Sequence, residues 1–237
     1  MRYFCLMEQL RSYADERLIG GCIHCGGAAQ TRDHDPSRIL LDEPYPENLP
    51  CIPSCATCNA GFSLDEEYLA CLVECVLRGS VEAVQRPKVK RVLRDRPLLA
   101  KRLTQARSVA SDGTVIFAVE DDRVNSVVLK LARGHAAFEF SEPQYEAPNH
   151  IHCIPLMSLD TDTHKTFETS PPPRRSVWPE VGSRAMQRLL LPNGWVQNSN
   201  WLDVQRGRYR YFVLGEDIVL VRFVLSEYLA CEVIWER

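Results

Sequence analysis

The chain has 237 residues, of which 45% are hydrophobic and 25% are charged, and its formal net charge at pH 7 is −3. These values are ordinary for a globular protein and exclude a fibrous repeat and a disordered chain. The N-terminal apolar residues are interrupted by Glu8, Arg11 and Asp15, and no later apolar run approaches the roughly 18 residues that cross a bilayer. The sequence therefore predicts a cytoplasmic protein without a signal peptide or a membrane partner.

The first predicted element is a short amphipathic helix at residues 2–18, which ends at the pair Gly20-Gly21. Residues 21–59 are rich in Gly, Pro and Cys, so they predict an irregular hairpin rather than a long helix. This hairpin contains two CxxC pairs separated by 29 residues.

The two CxxC pairs predict a structural zinc site. A reducing compartment keeps thiols free, and each CxxC turn presents two sulfurs to one ion. The predicted ligands are Cys22, Cys25, Cys55 and Cys58. Four thiolates leave no open position for a substrate, so the zinc would be structural. The other cysteines lie in apolar or helical surroundings and are predicted to be small buried side chains: Cys5, Cys51, Cys71, Cys75, Cys153 and Cys231.

The insert that the zinc would close carries further polar motifs: Asp33-His34 in RDHDPS, Asn48 in PENLP, and Asn59 directly after Cys58 in CATCNAGFS. In this order, over about residues 20–75, the chain resembles the HNH, or ββα-metal, endonuclease family. The resemblance implies a ββα-metal module that cleaves phosphodiester bonds.

The resemblance also implies roles for these residues. His34 would be the general base that takes a proton from the attacking water, since its ordinary pKa near 6.5 suits that task. Asp33 and Asn59 would hold one catalytic magnesium or manganese ion, and Asn48 would support the loop and orient the His34 ring. Each has a plainer alternative: His34 as a structural histidine, Asp33 and Asn48 as turn residues, and Asn59 as a helix N-cap.

Helical periodicity returns after the hairpin. Apolar residues from Phe62 to Val76 predict a helix that ends at Gly79, with a start at Ala60 or at the capping box Ser63–Glu66. The acidic residues of this helix, Glu66, Glu67 and Glu74, are predicted to form a solvated face.

A second helical stretch at 88–107, broken at Pro97, carries an unusual charge. Residues 86–107 hold nine of the 28 Lys and Arg residues and only one of the 31 acidic ones. A local basic patch determines where a polyanion docks, so this segment predicts a nucleic-acid surface. The predicted contacts are Arg86, Lys88, Lys90, Arg91, Arg94, Lys101 and Arg102, with Arg32 and Arg38 as further sources of phosphate contacts. The alternative is a solvated face that pairs with Glu120–Asp122.

The second half predicts a separate α+β domain. A strand is expected at 114–119, a helix at 124–132 stopped by Gly134, and a loop or linker at 169–179. The runs 208–214, 218–225 and 228–235 predict an antiparallel meander. The overall expectation is an α+β protein with a nuclease domain at 1–108 and a C-terminal domain at 109–237.

The leading functional hypothesis is a metal-dependent endonuclease acting on DNA; by family analogy alone, it would serve bacterial defence or mobile elements. Two alternatives stay open. One is a zinc-ribbon module that binds nucleic acid without cutting it, and the other is an effector activated by a protein partner that docks on the C-terminal meander. The set Asp33, His34 and Asn59 favours the endonuclease, because a pure binding module has no need of it.

Overall fold

The computed structural model describes residues 21–47, 49–169, 201–215 and 217–236. The helix predicted at 2–18, Asn48, Cys5 and nearly all of the loop predicted at 169–179 lie outside these residues. The described part is α+β, as predicted. Its helices are α1 (Ala56–Arg78), α2 (Pro87–Asp95), α3 (Pro97–Ala106), α4 (Asp121–Phe140) and α5 (Thr161–Glu168). Its strands are β1 (Thr31–His34), β2 (Cys51–Ser54), β3 (Arg107–Val109), β4 (Val115–Phe117), β5 (His150–Pro155), β6 (Leu202–Gln205), β7 (Tyr209–Gly215), β8 (Ile218–Leu225) and β9 (Leu229–Glu236).

The predicted hairpin at 21–59 is confirmed. Strands β1 and β2 pair antiparallel, with His34 opposite Cys51. The long connection between them contains a 3-10 turn at Arg38–Leu40. Helix α1 follows β2 almost directly, so the local order is strand, strand, helix.

Helix α1 begins earlier than predicted. Its N-cap is Cys55, whose sulfur accepts a hydrogen bond from the Cys58 N–H at 3.3 Å. The predicted capping box is wrong, because Ser63 lies within the helix and its hydroxyl donates to the Ala60 carbonyl. The predicted end is confirmed: Gly79 adopts φ 79°, a left-handed conformation that glycine takes without strain.

The break predicted at Pro97 is also confirmed, since α2 ends at Asp95 and α3 begins at Pro97. The predicted stop of the later helix at Gly134 is wrong, because α4 continues to Phe140. A Cβ on Gly134 would lie 2.6 Å from the Cγ of Asp35, well inside contact distance. The glycine therefore allows the loop after β1 to approach α4 closely rather than ending the helix.

The C-terminal meander is confirmed as the centre of a five-stranded antiparallel sheet with the order β5-β9-β8-β7-β6. Its aromatic residues Tyr209, Tyr211, Phe212 and Trp235 are buried and belong to the core. They are therefore not exposed on a docking surface.

One buried apolar cluster takes side chains from both halves of the chain, including Leu69 of α1, Val128 of α4 and Tyr209 of β7. The predicted domain boundary at residue 108 thus does not coincide with a break in this core. Cys51, Cys71, Cys75 and Cys231 are buried as predicted, and Cys153 is partly exposed.

Candidate metal centre and adjacent histidine site

The four CxxC cysteines come together in the folded chain. Their sulfur atoms all lie within 4.8 Å of one another, and the Sγ atoms of Cys25 and Cys55 are 3.8 Å apart. A tetrahedral zinc site with bonds of about 2.3 Å requires sulfur separations of about 3.8 Å. Among the described residues, this is the one group of three or more His, Cys, Asp or Glu side chains close enough to hold an ion. The donor set and its spacing fit zinc.

The electrostatics of the thiols point the same way. Burial raises the pKa of Cys22, but backbone N–H donors from Cys55, His24 and Cys25 outweigh it and lower the pKa to about 6. Burial and the neighbouring sulfurs raise the pKa of Cys58. Four adjacent sulfurs therefore resist full deprotonation until a cation balances their charge.

His24, between the first two cysteines, does not join this cluster. Its ring packs edge-on against Phe62 at a centroid distance of 4.9 Å. Burial lowers its pKa to about 3, so the ring is neutral at physiological pH. It acts as a packing residue beside the metal centre.

Asp33 points into the molecule and meets a buried lysine. Its Oδ2 lies 2.7 Å from Nζ of Lys130 on α4, and the two side chains are only 10% and 1% exposed. The same ammonium contacts Glu66 of α1 and donates to Ser37 Oγ at 2.8 Å. Burial raises the pKa of Asp33, and the charge of Lys130 opposes that shift. Lys130 therefore neutralises the Asp33 carboxylate, which the family resemblance implied would hold the catalytic divalent ion.

A second buried polar chain lies beside it. Asp35 Oδ2 is 3.0 Å from Nδ1 of His135, and both residues are 1% exposed. Nε2 of His135 lies 2.6 Å from the Tyr209 hydroxyl, and the ring stacks on Tyr211. Burial raises the pKa of Asp35 well above its ordinary value. These groups connect the loop after β1, through α4, to the sheet.

Lys130 and His135 were not among the residues predicted from the sequence. They lie about 100 residues from Asp33 and Asp35, and sequence spacing cannot pair residues that far apart. The available signal was a lysine inside the apolar run VVLKLA, where a charged side chain is rare unless it is paired.

His34 lies at the end of β1 and is half-buried. Its Nδ1 is 3.0 Å from the sulfur of Cys51 on β2. Burial lowers the pKa of His34 to about 4, and the charges of Arg38 and Lys130 act in the same direction. The ring is therefore neutral at physiological pH and can accept a proton. Because side chains alternate along a strand, His34 and Asp33 point to opposite faces of β1.

Asn59 lies in the first turns of α1, and its amide nitrogen donates to Thr31 Oγ1 at 3.1 Å and to the Arg32 carbonyl at 3.5 Å. It is therefore not the N-cap, which is Cys55. Asn48 is outside the described residues. The His34 ring is hydrogen-bonded to the backbone of Pro50, and this bond opposes the lowering of its pKa.

The predicted catalytic divalent ion does not fit this arrangement. Asp33 is already neutralised by Lys130, and the amide group of Asn59 ties the helix to β1. The Asp33 carboxylate also points away from the face of β1 on which His34 lies.

The basic segment divides into buried and exposed parts. Arg86 is 6% exposed; its guanidinium binds Asp42 at 2.6 Å and the carbonyls of Ile39 and Leu41. Arg86 therefore holds the loop after β1 and does not belong to an exposed nucleic-acid surface. Four of the other predicted contacts are exposed: Lys90, Arg91, Arg94 and Lys101. Arg102 is exposed too but pairs with Glu120, as the alternative interpretation expected.

The prediction of a solvated acidic face on α1 is wrong for Glu74. This side chain is 2% exposed, and its Oε1 lies 2.8 Å from Nη1 of Arg208 and 3.7 Å from Nη1 of Arg86. Glu66 contacts Lys130, and Glu67 pairs with Arg96. The acidic residues of α1 thus connect this helix to its neighbours.

Comparison of the chain with protein-family models, with curated proteins and with solved structures gives no match. Across the described residues, every helix is too short or too polar to cross a bilayer.

Proposed function

We propose that this protein is an endonuclease that cleaves nucleic-acid phosphodiester bonds, with His34 as the general base. The observation that supports the proposal best is the position of His34. It ends the first strand of a strand–strand–helix unit held by the four-cysteine cluster, beside the cationic residues Arg38 and Lys88. The resemblance of RDHDPS and CATCNAGFS to the ββα-metal family supports the same assignment.

The residues around His34 suit this chemistry. A base must be unprotonated at the working pH, and burial with nearby positive charge keeps His34 neutral. The pentavalent phosphate of the transition state gains negative charge, which Arg38 and Lys88 would stabilise. Lys88 is held in place by hydrogen bonds to the Arg38 carbonyl at 2.8 Å and the Tyr45 hydroxyl at 2.7 Å.

The zinc would be a scaffold rather than a reagent. The cysteines join the turn before β1 to the start of α1, so the ion would fix the distance between His34 and that helix. When bound, zinc would supply folding free energy, on the order of several kcal/mol or more.

The experiment is a cleavage assay with plasmid DNA and with labelled DNA and RNA oligonucleotides, with and without added magnesium or manganese. His34→Ala should lower the cleavage rate by about 100-fold or more, while nucleic-acid affinity is unchanged. Lys165→Ala, at an exposed position on α5 outside the basic segment, is the control. Equal cleavage by His34→Ala and the parent would make His34 structural and the proposed mechanism wrong.

A second candidate is a zinc-bound module that binds nucleic acid without cutting it. The ion pair between Asp33 and Lys130 favours it, because that pair occupies the carboxylate expected to hold a catalytic ion. Salt-sensitive binding by a parent protein that cleaves none of the substrates would support this candidate over the endonuclease.

A further inference from the structure

A cleft of about 490 Å³ opens between the loop after β1, the end of α1 and the start of α2. Five of its lining side chains are cationic: Arg78, Arg86, Lys88, Arg91 and Arg208. Two of its lining residues are acidic, Asp42 and Glu43. The cleft is thus a concave surface with an excess of positive charge.

The cations of the cleft fall into two groups. The Nε atoms of Arg86 and Arg208 lie 2.6 and 2.5 Å from the carboxylate oxygens of Asp42. Both guanidinium groups also lie within ion-pair distance of buried Glu74. These two arginines form the neutralised floor. In contrast, Arg78 and Arg91 are exposed, and neither is held by an ion pair within 4 Å among the residues that the structure describes; the charge of Arg91 acts on Asp95 only at longer range.

The charge balance at Lys88 indicates the same excess. Burial and the charges of Arg38, Arg86 and Arg91 together lower the pKa of Lys88 to about 8, and the charge of Glu43 opposes them. Glu43 also accepts a hydrogen bond from Tyr45. No acidic residue lies in the first turn of α2, which borders the cleft. An anion entering here would therefore meet uncompensated positive charge.

We propose that this cleft binds a backbone phosphate of the substrate strand, at a position away from the bond that is cut, through Arg78 and Arg91. This proposal rests on the function proposed above and specifies where the strand lies. Lys88 connects the two places, because it lines the cleft and its charge also acts on His34. A strand that leaves His34 past Arg38 and Lys88 enters the cleft.

The proposal divides the basic segment. Arg91 faces the cleft, whereas Arg94 and Lys101 do not line it. The phosphate would then be bound by one side of α2 and the end of α1, rather than by the whole run of basic residues. Arg78 lies outside the segment that charge counting selects, so its contribution is the distinctive part of the proposal.

The test measures binding of a labelled 20-nucleotide single-stranded DNA by fluorescence anisotropy against NaCl concentration. All proteins carry His34→Ala, so that the probe stays intact. Arg78→Gln/Arg91→Gln should weaken binding about tenfold or more and flatten the slope of log affinity against log salt by up to about 1.4 units, since each phosphate contact to a single strand contributes about 0.7. Arg94→Gln/Lys101→Gln removes the same charge outside the cleft and should leave affinity within about twofold. Thermal unfolding of each protein checks that the fold is unchanged.

Three results would overturn the proposal. The first is an unchanged salt slope in the cleft variant, and the second is an equal loss in both double variants. The third comes from competition with adenosine 5′-monophosphate at constant ionic strength: if the mononucleotide binds as tightly as the oligonucleotide, the cleft is a nucleotide site. These readouts measure binding alone. If the cleft variants lose binding as expected while the parent protein, with His34 intact, cleaves none of the substrates, this proposal stands and the endonuclease is refuted.

Discussion

Replacing Lys130 with Met tests whether Asp33 is a structural partner or a metal ligand. Lys130 is 1% exposed and contacts Asp33 and Glu66. Its folded-state pKa is raised, so the charge that it contributes to stability is present at neutral pH and is lost only in strongly alkaline solution. Removing one partner of a buried ion pair leaves an uncompensated charge, which costs about 3–5 kcal/mol of unfolding free energy.

The assay is urea unfolding at pH 7, with Lys101→Met as the control at an exposed position. The control should stay within about 0.5 kcal/mol of the parent. Adding Asp33→Asn to Lys130→Met should recover part of the loss, because one of the two stranded carboxylates is then neutral. A loss below about 1 kcal/mol in Lys130→Met would refute the ion pair. If Asp33→Asn raised the magnesium concentration needed for cleavage without lowering stability, Asp33 would be a metal ligand after all.

Four further results are expected. The cleavage rate should fall as the pH drops through about 4, rather than through 6.5, because the folded-state pKa of His34 is depressed and the base stays neutral down to that value; a rate–pH profile with an acid limb near 6.5 would show that His34 is not the general base or is more exposed than the structure shows. Elemental analysis should find one zinc per chain, and Cys22→Ser should lower the thermal midpoint sharply; a well-folded, zinc-free preparation would contradict the metal centre. Arg86→Gln should cost about 3 kcal/mol or more of unfolding free energy, measured against exposed Lys90→Gln, since its buried guanidinium holds Asp42 and two carbonyls. Gly134→Ala should destabilise by about 1–3 kcal/mol, although alanine favours helices, because its Cβ would overlap Asp35; increased stability would show that the loop moves aside.

Local patterns in the sequence predicted local structure well. The CxxC spacing correctly predicted that the four cysteines meet, Pro97 correctly predicted the break between the basic helices, and three strand-like runs correctly predicted the meander. The failures involve distant partners. A glycine such as Gly134 often ends a helix. Here the helix continues, and the glycine is explained by the close approach of Asp35, which lies about a hundred residues earlier in the chain. Asp33 and Arg86 each met a partner outside their own segment that determined their role.

The roles of the polar residues were therefore harder to predict than the elements that carry them. A carboxylate beside a histidine fits a metal site on composition alone. Its burial and its neighbour across the fold decide whether it binds an ion or an ammonium. The same reasoning applies to the basic run, where charge counting could not distinguish the buried Arg86 from the exposed Arg91.

The hairpin that carries the four cysteines depends on helix α4 for its folded structure. Lys130 and His135 supply the partners of Asp33 and Asp35, and Gly134 provides the space for the loop that carries Asp35. A fragment that stops at residue 108 would retain all four cysteines but would leave these carboxylates without counterparts. The zinc-binding hairpin is thus not a self-contained unit. In another protein it would need a host helix that offers an ammonium and an imidazole about one and a half turns apart. Recombination that exchanged the second half of this chain would have to preserve that helix.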